Sequence, residues 1–519
     1  MRLVVVHYHY RPGGVRRVVE LGAPWVAAAV KAEEVLLVGD ALPDKAWLTL
    51  FKQRLGRRDL RAMACPAAGY WAEQRTSAAD VAGQLEIFWS RLFSGAKGDN
   101  TVVWAHNQGL GRNLLLTRTL SEACVQHQIP LFFHHHDWWF DNRWQRWLEM
   151  RQTGFRTLEQ VAKVIFPDTS MVRHLAINHA DTSVLQHHFP SQSVWLPNIT
   201  EPAELPTEKE VEMARRWLKG QLNDAAPVWL IPCRLLRRKN IAEALLLQRW
   251  LRPEVWLVTT GALSSADEKV YARRLAEAAQ QHKWRLRLSL LQGPERGKPS
   301  VPALIAASEA IVLTSLQEGF GLPFLEAAQA GKPLLGRALP NIAPDLAQFG
   351  LVFPQYYDEI LVAPALFDWP AEQKRQEEMY RRWKSLMPGP CRKITPKPAL
   401  LANGNIPAAV PFSRLTLTAQ LEVLRKPVEE SWAACVALNP FLRIWKELAE
   451  VGRLRCTTWP RTANRWLCGS AYQRQFSNLL RKTTSPPPTP EQAVAAQTDF
   501  MRMKLAAQNL YPLLWSTDG

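Results

Sequence analysis

The stretch Ile311-Val312-Leu313-Thr314-Ser315-Leu316-Gln317-Glu318-Gly319-Phe320-Gly321-Leu322-Pro323-Phe324-Leu325-Glu326 decides how the chain is read. Its first five residues include three β-branched ones, Ile311, Val312 and Thr314, and a leucine, the composition of a buried strand. Gly319 and Gly321 then let the backbone turn and approach a ligand closely, and Pro323 suits a first helical turn. A strand that feeds a helix through a glycine loop is one unit of a parallel α/β sheet. The helix N-terminus offers unpaired N–H groups to an anion such as pyrophosphate.

The same alternation extends in both directions. Residues 228–232, 255–259, 286–291, 310–314 and 333–335 read as strands, separated by helical patterns such as 241–249 and 266–280. An earlier series of strands covers 2–7, 34–39, 101–105, 130–133, 163–166 and 193–196, with helical spacing over 15–31, 79–92 and 113–126. The polar, proline-bearing stretch 198–209 separates the two series. The expectation is an α/β protein of two doubly wound, Rossmann-like domains facing a cleft, residues 1–200 and 210–350. Beyond residue 350 the strand signal fades, and 369–384, 414–425, 441–448 and 491–510 look helical. Residues 351–519 are therefore expected as a mainly helical, basic extension, with a Pro-rich linker near 482–490.

Composition narrows the class. At 519 residues, 47% hydrophobic and 21% charged, the chain is globular and too long for one small binding module. Seven scattered cysteines form no C-x-x-C pair, which fits free thiols better than a disulfide framework or a zinc site. The apolar opening is interrupted by His7, His9 and Arg11, and no run reaches the roughly 18 to 20 apolar residues of a membrane span. A cytoplasmic protein is expected. The net charge of +17 favours phosphate-bearing partners. Residues 351–519 hold 22 Lys and Arg against 14 Asp and Glu, so an anionic membrane surface on its inner face is one candidate partner. Nucleic acid is not expected, since aromatic and basic residues are not interleaved as in nucleic-acid readers.

Several motifs sit where strands end. Pro232-Cys233-Arg234-Leu235-Leu236-Arg237-Arg238-Lys239 follows the first strand of the second series and supplies cations. Arg237 and Arg238 read as solvated neighbours of it. Arg11-Pro12-Gly13-Gly14-Val15 is a glycine turn opening a helix. Phe132-Phe133-His134-His135-His136-Asp137-Trp138-Trp139 carries polar groups to the sheet edge where α/β domains bind ligands. Neighbouring strand residues point to opposite faces, which argues against the three histidines sharing a metal ion. Trp104-Ala105-His106-Asn107 ends another strand, and His106 and Asn107, with Asp137 and Trp138, are candidates for the acceptor side.

Glu318 and Glu326, separated by seven residues inside the EGFGLPFLE run, resemble the retaining GT-B glycosyltransferases with an E-x7-E motif, the glycosyl transferases group 1. The resemblance covers roughly residues 1–345. It implies that Glu318 lies by the donor sugar and that Glu326 bonds the nucleotide ribose. It implies further that Arg234 and Lys239 stabilise the departing diphosphate without a metal, and that His136, with His134 as alternate, contacts the sugar. Gly13, Gly14, Gly261, Gly319, Phe320, Gly321 and Leu322 would line the donor site, and Asp168-Thr169-Ser170, Pro197-Asn198 and Thr260-Gly261 follow the same pattern. The implied reaction moves a sugar, with retention, from a nucleoside diphosphate sugar to a hydroxyl of a glycan or lipid-linked acceptor, with no cofactor. Two alternatives stay open: a glycoside phosphorylase or epimerase on the same scaffold, or a basic nucleic-acid- or membrane-binding protein with a vestigial donor site.

Overall fold

The computed structural model describes residues 1–200, 205–263, 268–293, 297–402, 405–481 and 486–515. The chain divides into two units. One comprises Met1–Glu201, Leu386–Thr395 and Thr462–Leu505, and the other Pro202–Ser385, Pro396–Arg461 and Ala506–Gly519.

The first unit is built on a seven-stranded sheet: β1 (Arg2–Val6), β2 (Glu34–Gly39), β3 (Asp59–Ala64), β4 (Thr101–His106), β5 (Leu131–His135), β6 (Val172–Ala176) and β7 (Ser193–Trp195). Their order is β3-β2-β1-β4-β5-β6-β7, and every pairing is parallel. The central strands β4 and β5 are buried along their whole length, largely apolar up to the histidines at their carboxyl ends, rather than alternating. The chain leaves β1 towards β2 on one side and returns to β4 on the other. That reversal opens a crevice at the carboxyl ends of β1 and β4, the usual ligand position in such sheets.

The second unit repeats the plan with β8 (Val228–Ile231), β9 (Trp256–Thr259), β10 (Leu286–Arg287), β11 (Ala310–Leu313), β12 (Leu334–Arg337) and β13 (Gln355–Tyr357), ordered β10-β9-β8-β11-β12-β13 and all parallel. Its reversal lies between β8 and β11, flanked by the loops that begin at Pro232 and Thr314. Helix Ile241–Leu251 is apolar nearly all round because it is covered on all sides, on one by the sheet and elsewhere by helices Leu417–Arg425, Val428–Cys435 and Phe441–Glu450. A short antiparallel pair, β14 (Leu361–Val362) with β15 (Val410–Pro411), completes the unit.

The two Rossmann-like sheets and the helical C-terminal part are those expected, with local differences. Residues 163–166 are not a strand. They close helix Leu158–Ile165, whose start is fixed by a reciprocal cap in which Thr157 Oγ1 accepts from Gln160 N at 3.1 Å and Gln160 Oε1 accepts from Thr157 N at 3.1 Å. A four-residue apolar run is too short to separate the two periods, whereas the cap is decisive. Asp168-Thr169-Ser170 accordingly precedes a strand, β6, instead of following one. Three strands of the two main sheets went unread, as did the two-residue strands β14 and β15. β3 lies at the sheet edge and is largely exposed, β6 carries Arg173 and His174, and β13 has only three residues.

Residues 351–519 do not form one extension, because their helices are parts of both units. In the first unit, helix Gly469–Arg481 lies against helix Gly14–Ala29 so closely that a Cβ on Gly469 would overlap the Trp25 ring. Helix Pro490–Lys504 packs on helices Leu158–Ile165 and His179–His188, with Gln497 donating to the Leu158 carbonyl at 2.8 Å. In the second unit, Trp250 Nε1 donates to Ser431 Oγ at 3.0 Å. Some of the basic residues of this region serve internal pairs: Lys504 bridges Asp141 and Asp181 at 3.1 and 3.0 Å, and the Arg414 guanidinium lies 3.9 Å from the Tyr511 ring centre. Of the expected linker, residues 482–485 lie outside the described residues, as do 264–267 at the start of the helix expected over 266–280. No helix among the described residues is long and apolar enough to cross a membrane.

Candidate active site

The second unit brings the loop after β8 against the loop after β11. Leu316 N donates to the Arg238 carbonyl at 2.7 Å, and Thr314 Oγ1 donates to the Lys239 and Asn240 carbonyls, both at 3.0 Å. These backbone ties carry Lys239 and Arg238 to Glu318. Lys239 Nζ pairs with one carboxylate oxygen, Arg238 Nη1 with the other at 2.8 Å, and Ser315 Oγ donates to the first at 2.7 Å. The Glu318 side chain is only 10% exposed. Burial by itself would raise its carboxyl; Arg238 and Lys239 outweigh it and hold the group down at about 2. Glu318 is thus a permanent acceptor of hydrogen bonds. Asn341 Nδ2 also donates to its carbonyl at 2.7 Å, fixing the loop.

Arg238 is therefore not a solvated bystander, and neither is Arg237, whose backbone N donates to Glu268 at 2.8 Å and whose Nε lies 3.3 Å from it. Arg234 is exposed at the loop's start. Gly261 serves the backbone of that same loop: its N–H donates to the Cys233 carbonyl at 2.8 Å, and a Cβ would stand 2.9 Å from Arg234 Cα. Gly321 has φ +79°, and a Cβ there would meet Ile342 and Phe324 at 2.8 Å. Phe320 is buried near Phe349, so it anchors the loop, whereas Gly319 and Leu322 are half-buried. Glu326 is half-buried in the second turn of helix Leu322–Gln329.

Behind Lys239 lies a buried polar network. Asn240 Nδ2 donates to Glu243 Oε2 at 2.9 Å, while Glu243 Oε1 takes Tyr357 Oη at 2.6 Å and Arg337 Nη2. Arg337 turns its other arm to Glu359 at 2.5 Å and to the Asp358 carbonyl at 2.6 Å. The network holds the turn at Asn240, where φ is +47°, directly after Lys239.

In the first unit, parallel pairing sets His106 of β4 opposite His134 of β5. His106 Nδ1 and His136 Nε2 lie 3.0 Å apart and share a hydrogen bond, and the His134 ring lies tilted beside them. Burial lowers all three imidazoles, His136 to about 4, so the cluster is neutral near pH 7. One ring nitrogen from each falls within 4.8 Å of the others, a set suited to a metal such as zinc. The alternation argument holds for His135, which turns away to His174 at 3.1 Å, but His134 and His136 share a face and His106 joins them. Asn107 is buried with φ +65°, and its Oδ1 accepts from Asp137 N at 2.9 Å and His136 N at 3.3 Å, so it orders the strand end. Asp137 is partly exposed and pairs with Arg143 at 3.2 Å.

Trp138 does not belong on the acceptor side. It is wholly enclosed, stacks on His135 with ring centres 4.3 Å apart and donates to Asp181 at 2.9 Å. Apolar burial claims the whole ring. Gly13 and Gly14 do open helix Gly14–Ala29. Gly13 is extended, and a Cβ on Gly14 would meet nothing, so neither is demanded by the backbone.

Residues 218–382 match the sequence family Glycosyl transferases group 1. That match covers about a third of the chain, and in it the chain is similar to the group 1 glycosyltransferases. The chain is also similar to the mannosylglucosyl-3-phosphoglycerate synthase of Petrotoga mobilis, 25% identical over 395 residues that span 74% of this chain and 73% of that protein. In fold it resembles Anabaena HepE, solved in complex with UDP-glucose (TM-score 0.52, 14% identity, 92% of this chain and 99% of that one) and with UDP and glucose (TM-score 0.50, with the same identity and coverage). The chain therefore has the GT-B fold, two parallel Rossmann-like sheets. Its family match spans β8 to helix Trp369–Ser385, and so includes Arg234, Lys239, Glu318 and Glu326. Arg238, which reads as a solvated neighbour in the sequence, holds Glu318 instead. Arg112 and Arg146, placed beside Arg143 in the first unit, had no spacing to reveal them.

Proposed function

We propose that this glycosyltransferase moves a sugar from a nucleoside diphosphate sugar to an acceptor hydroxyl with retention of the anomeric configuration, in glycan, glycolipid or surface polysaccharide synthesis. The observation that carries this reading is Glu318, held ionised between Arg238 and Lys239 at the strand-order reversal of the second sheet. A carboxylate that stays charged and accepts hydrogen bonds suits the hydroxyls of a donor sugar. Lys239 and Arg238 stand beside it, and Arg234 opens the same loop. Cations so placed suit the charge a departing diphosphate develops, in a partly dry site where such stabilisation is strong, and need no metal. Glu326, one helical turn into Leu322–Gln329, is suited to the ribose hydroxyls, and the N-terminus of the same helix to the diphosphate.

The reading is tested by turnover with α-configured nucleotide sugars and proton NMR of the new glycosidic bond. An α-linked product with release of nucleoside diphosphate supports it. A β-linked product overturns retention, and cleavage of a glycoside by phosphate without any nucleotide turns the assignment to a phosphorylase.

A further inference from the structure

Three arginines far apart in sequence meet at one place in the first unit. Arg112 follows the turn after β4, Arg143 follows β5, and Arg146 stands in the first turn of helix Gln145–Gln152. The Arg112 guanidinium lies 4.6 Å from the ring centre of Tyr70, and the charges of all three arginines act on that phenol. Among the described residues, Asp137 pairs with Arg143 at 3.2 Å and Glu149 with Arg146, while Glu73 and Asp141 act on Arg112 and Arg143 from farther off and are themselves engaged by Arg11 and Lys504.

The donors of this cluster are not used up by the protein. Arg143 Nη1 and Arg146 Nε are buried and have no hydrogen-bond partner, although Arg146 as a whole is only 9% exposed. Arg112 is half-buried, and no hydrogen bond from its guanidinium to a protein group is found among the described residues. Orphaned buried donors are costly, and a folded chain tolerates them where a ligand completes them. Burial, and then the neighbouring Arg112, bring Arg146 down to about 10.

We propose that Arg112, Arg143 and Arg146 form a binding site for a phosphate monoester carried by the acceptor. Guanidinium forks present paired N–H groups in the geometry of phosphate oxygens, and three of them with donors left over match a dianion better than a neutral sugar. The place agrees with this role: Asp137, which Arg143 holds, is tied through Asn107 to the ends of β4 and β5, at the edge of the sheet where ligands enter. The acceptor role rests on the glycosyl-transfer reading, whereas anion binding by these residues stands without it.

The experiment is isothermal titration of the full chain, first saturated with whichever of UDP, GDP, ADP or dTDP binds it best, so that the donor's own phosphate positions are filled. Inorganic phosphate, glucose 6-phosphate and glucose are the probes, on wild type, Arg112→Gln and Arg143→Gln. Phosphate should bind wild type, glucose 6-phosphate should bind more tightly and compete with it, glucose should not compete, and each variant should weaken binding of both phosphates at least about tenfold. Nucleotide affinity should stay unchanged in both variants, which also shows that they fold. No phosphate binding to wild type, or equal binding in wild type and variants, overturns the site. Inorganic phosphate binding as tightly as the sugar phosphate overturns the acceptor role and leaves a site for free phosphate. Failure of every nucleotide to bind strikes at the transfer reading instead, and the probes then report on the arginines alone.

Discussion

Lys239 and Glu318 form an ion pair that ties together the two loops flanking the strand-order reversal of the second sheet. Each loop comes from a different strand, so the pair exists only when the sheet is assembled. It sets a carboxylate and an ammonium side by side where the donor is expected, with Arg238 on the carboxylate's other oxygen.

Removing the ammonium tests its share of the chemistry. Lys239→Ala leaves Glu318 paired with Arg238 alone and takes away a cation meant for the leaving diphosphate. Its kcat should fall about 10²- to 10³-fold, the size typical of losing one group that stabilises transition-state charge. Arg238→Ala should cost less, because Lys239 and Ser315 still hold Glu318. Steady-state kinetics on the two variants give the comparison, and the reverse order would reassign the roles.

Glu318 also carries a pH signature. Its carboxyl, ordinarily near 4.5, is held at about 2, so the ionised form stabilises the folded state above the ordinary value, and that contribution is lost as pH falls from about 4.5 towards 2. The gap in unfolding free energy between wild type and Glu318→Gln should shrink across that window, by an amount on the order of 3 kcal/mol. Denaturant titrations at pH 6, 4 and 3 measure it. A gap that stays constant would show that the folded protein does not depress this carboxyl.

The Glu243–Arg337 pair is wholly buried. Arg337→Ala strands a carboxylate in the core behind Lys239, and the cost expected is about 3 to 5 kcal/mol. Thermal unfolding should show a drop of many degrees, and refilling the space with Met should recover only part of it, since Glu243 stays unpaired.

Trp138→Ala separates core from site. The enclosed ring should cost about 3 to 5 kcal/mol of stability, while the folded fraction keeps its acceptor KM. A raised KM at unchanged stability would return Trp138 to the acceptor side.

Much of this was readable in the sequence, for physical reasons that also explain what was not. Strands buried on both faces, such as Val228–Ile231 and Ala310–Leu313, announce themselves as unbroken apolar runs. The loop at Glu318 shows through its glycines, one of which, Gly321, does take a positive φ. Edge strand Asp59–Ala64 has no such run because half of it faces outward, and Val172–Ala176 hides behind Arg173 and His174. The role of Arg238 depends on Leu316 pairing with its carbonyl, a contact between residues 78 positions apart that no local spacing encodes. Arg112 and Arg146 meet for the same reason, through the sheet order that places β4 beside β5. The helices after residue 350 gave no hint that they belong to two units, since an amphipathic face does not name its partner.

The central claim is a nucleotide-sugar donor site on the second sheet, and the most direct measurement is thermal shift of the purified chain with UDP-, GDP-, ADP- and dTDP-sugars, wild type against Glu326→Ala. One nucleotide should raise the midpoint of wild type, and the shift should vanish or nearly vanish in the variant while the unliganded midpoints agree. A shift of equal size in both proteins, or none with any donor, would contradict the account.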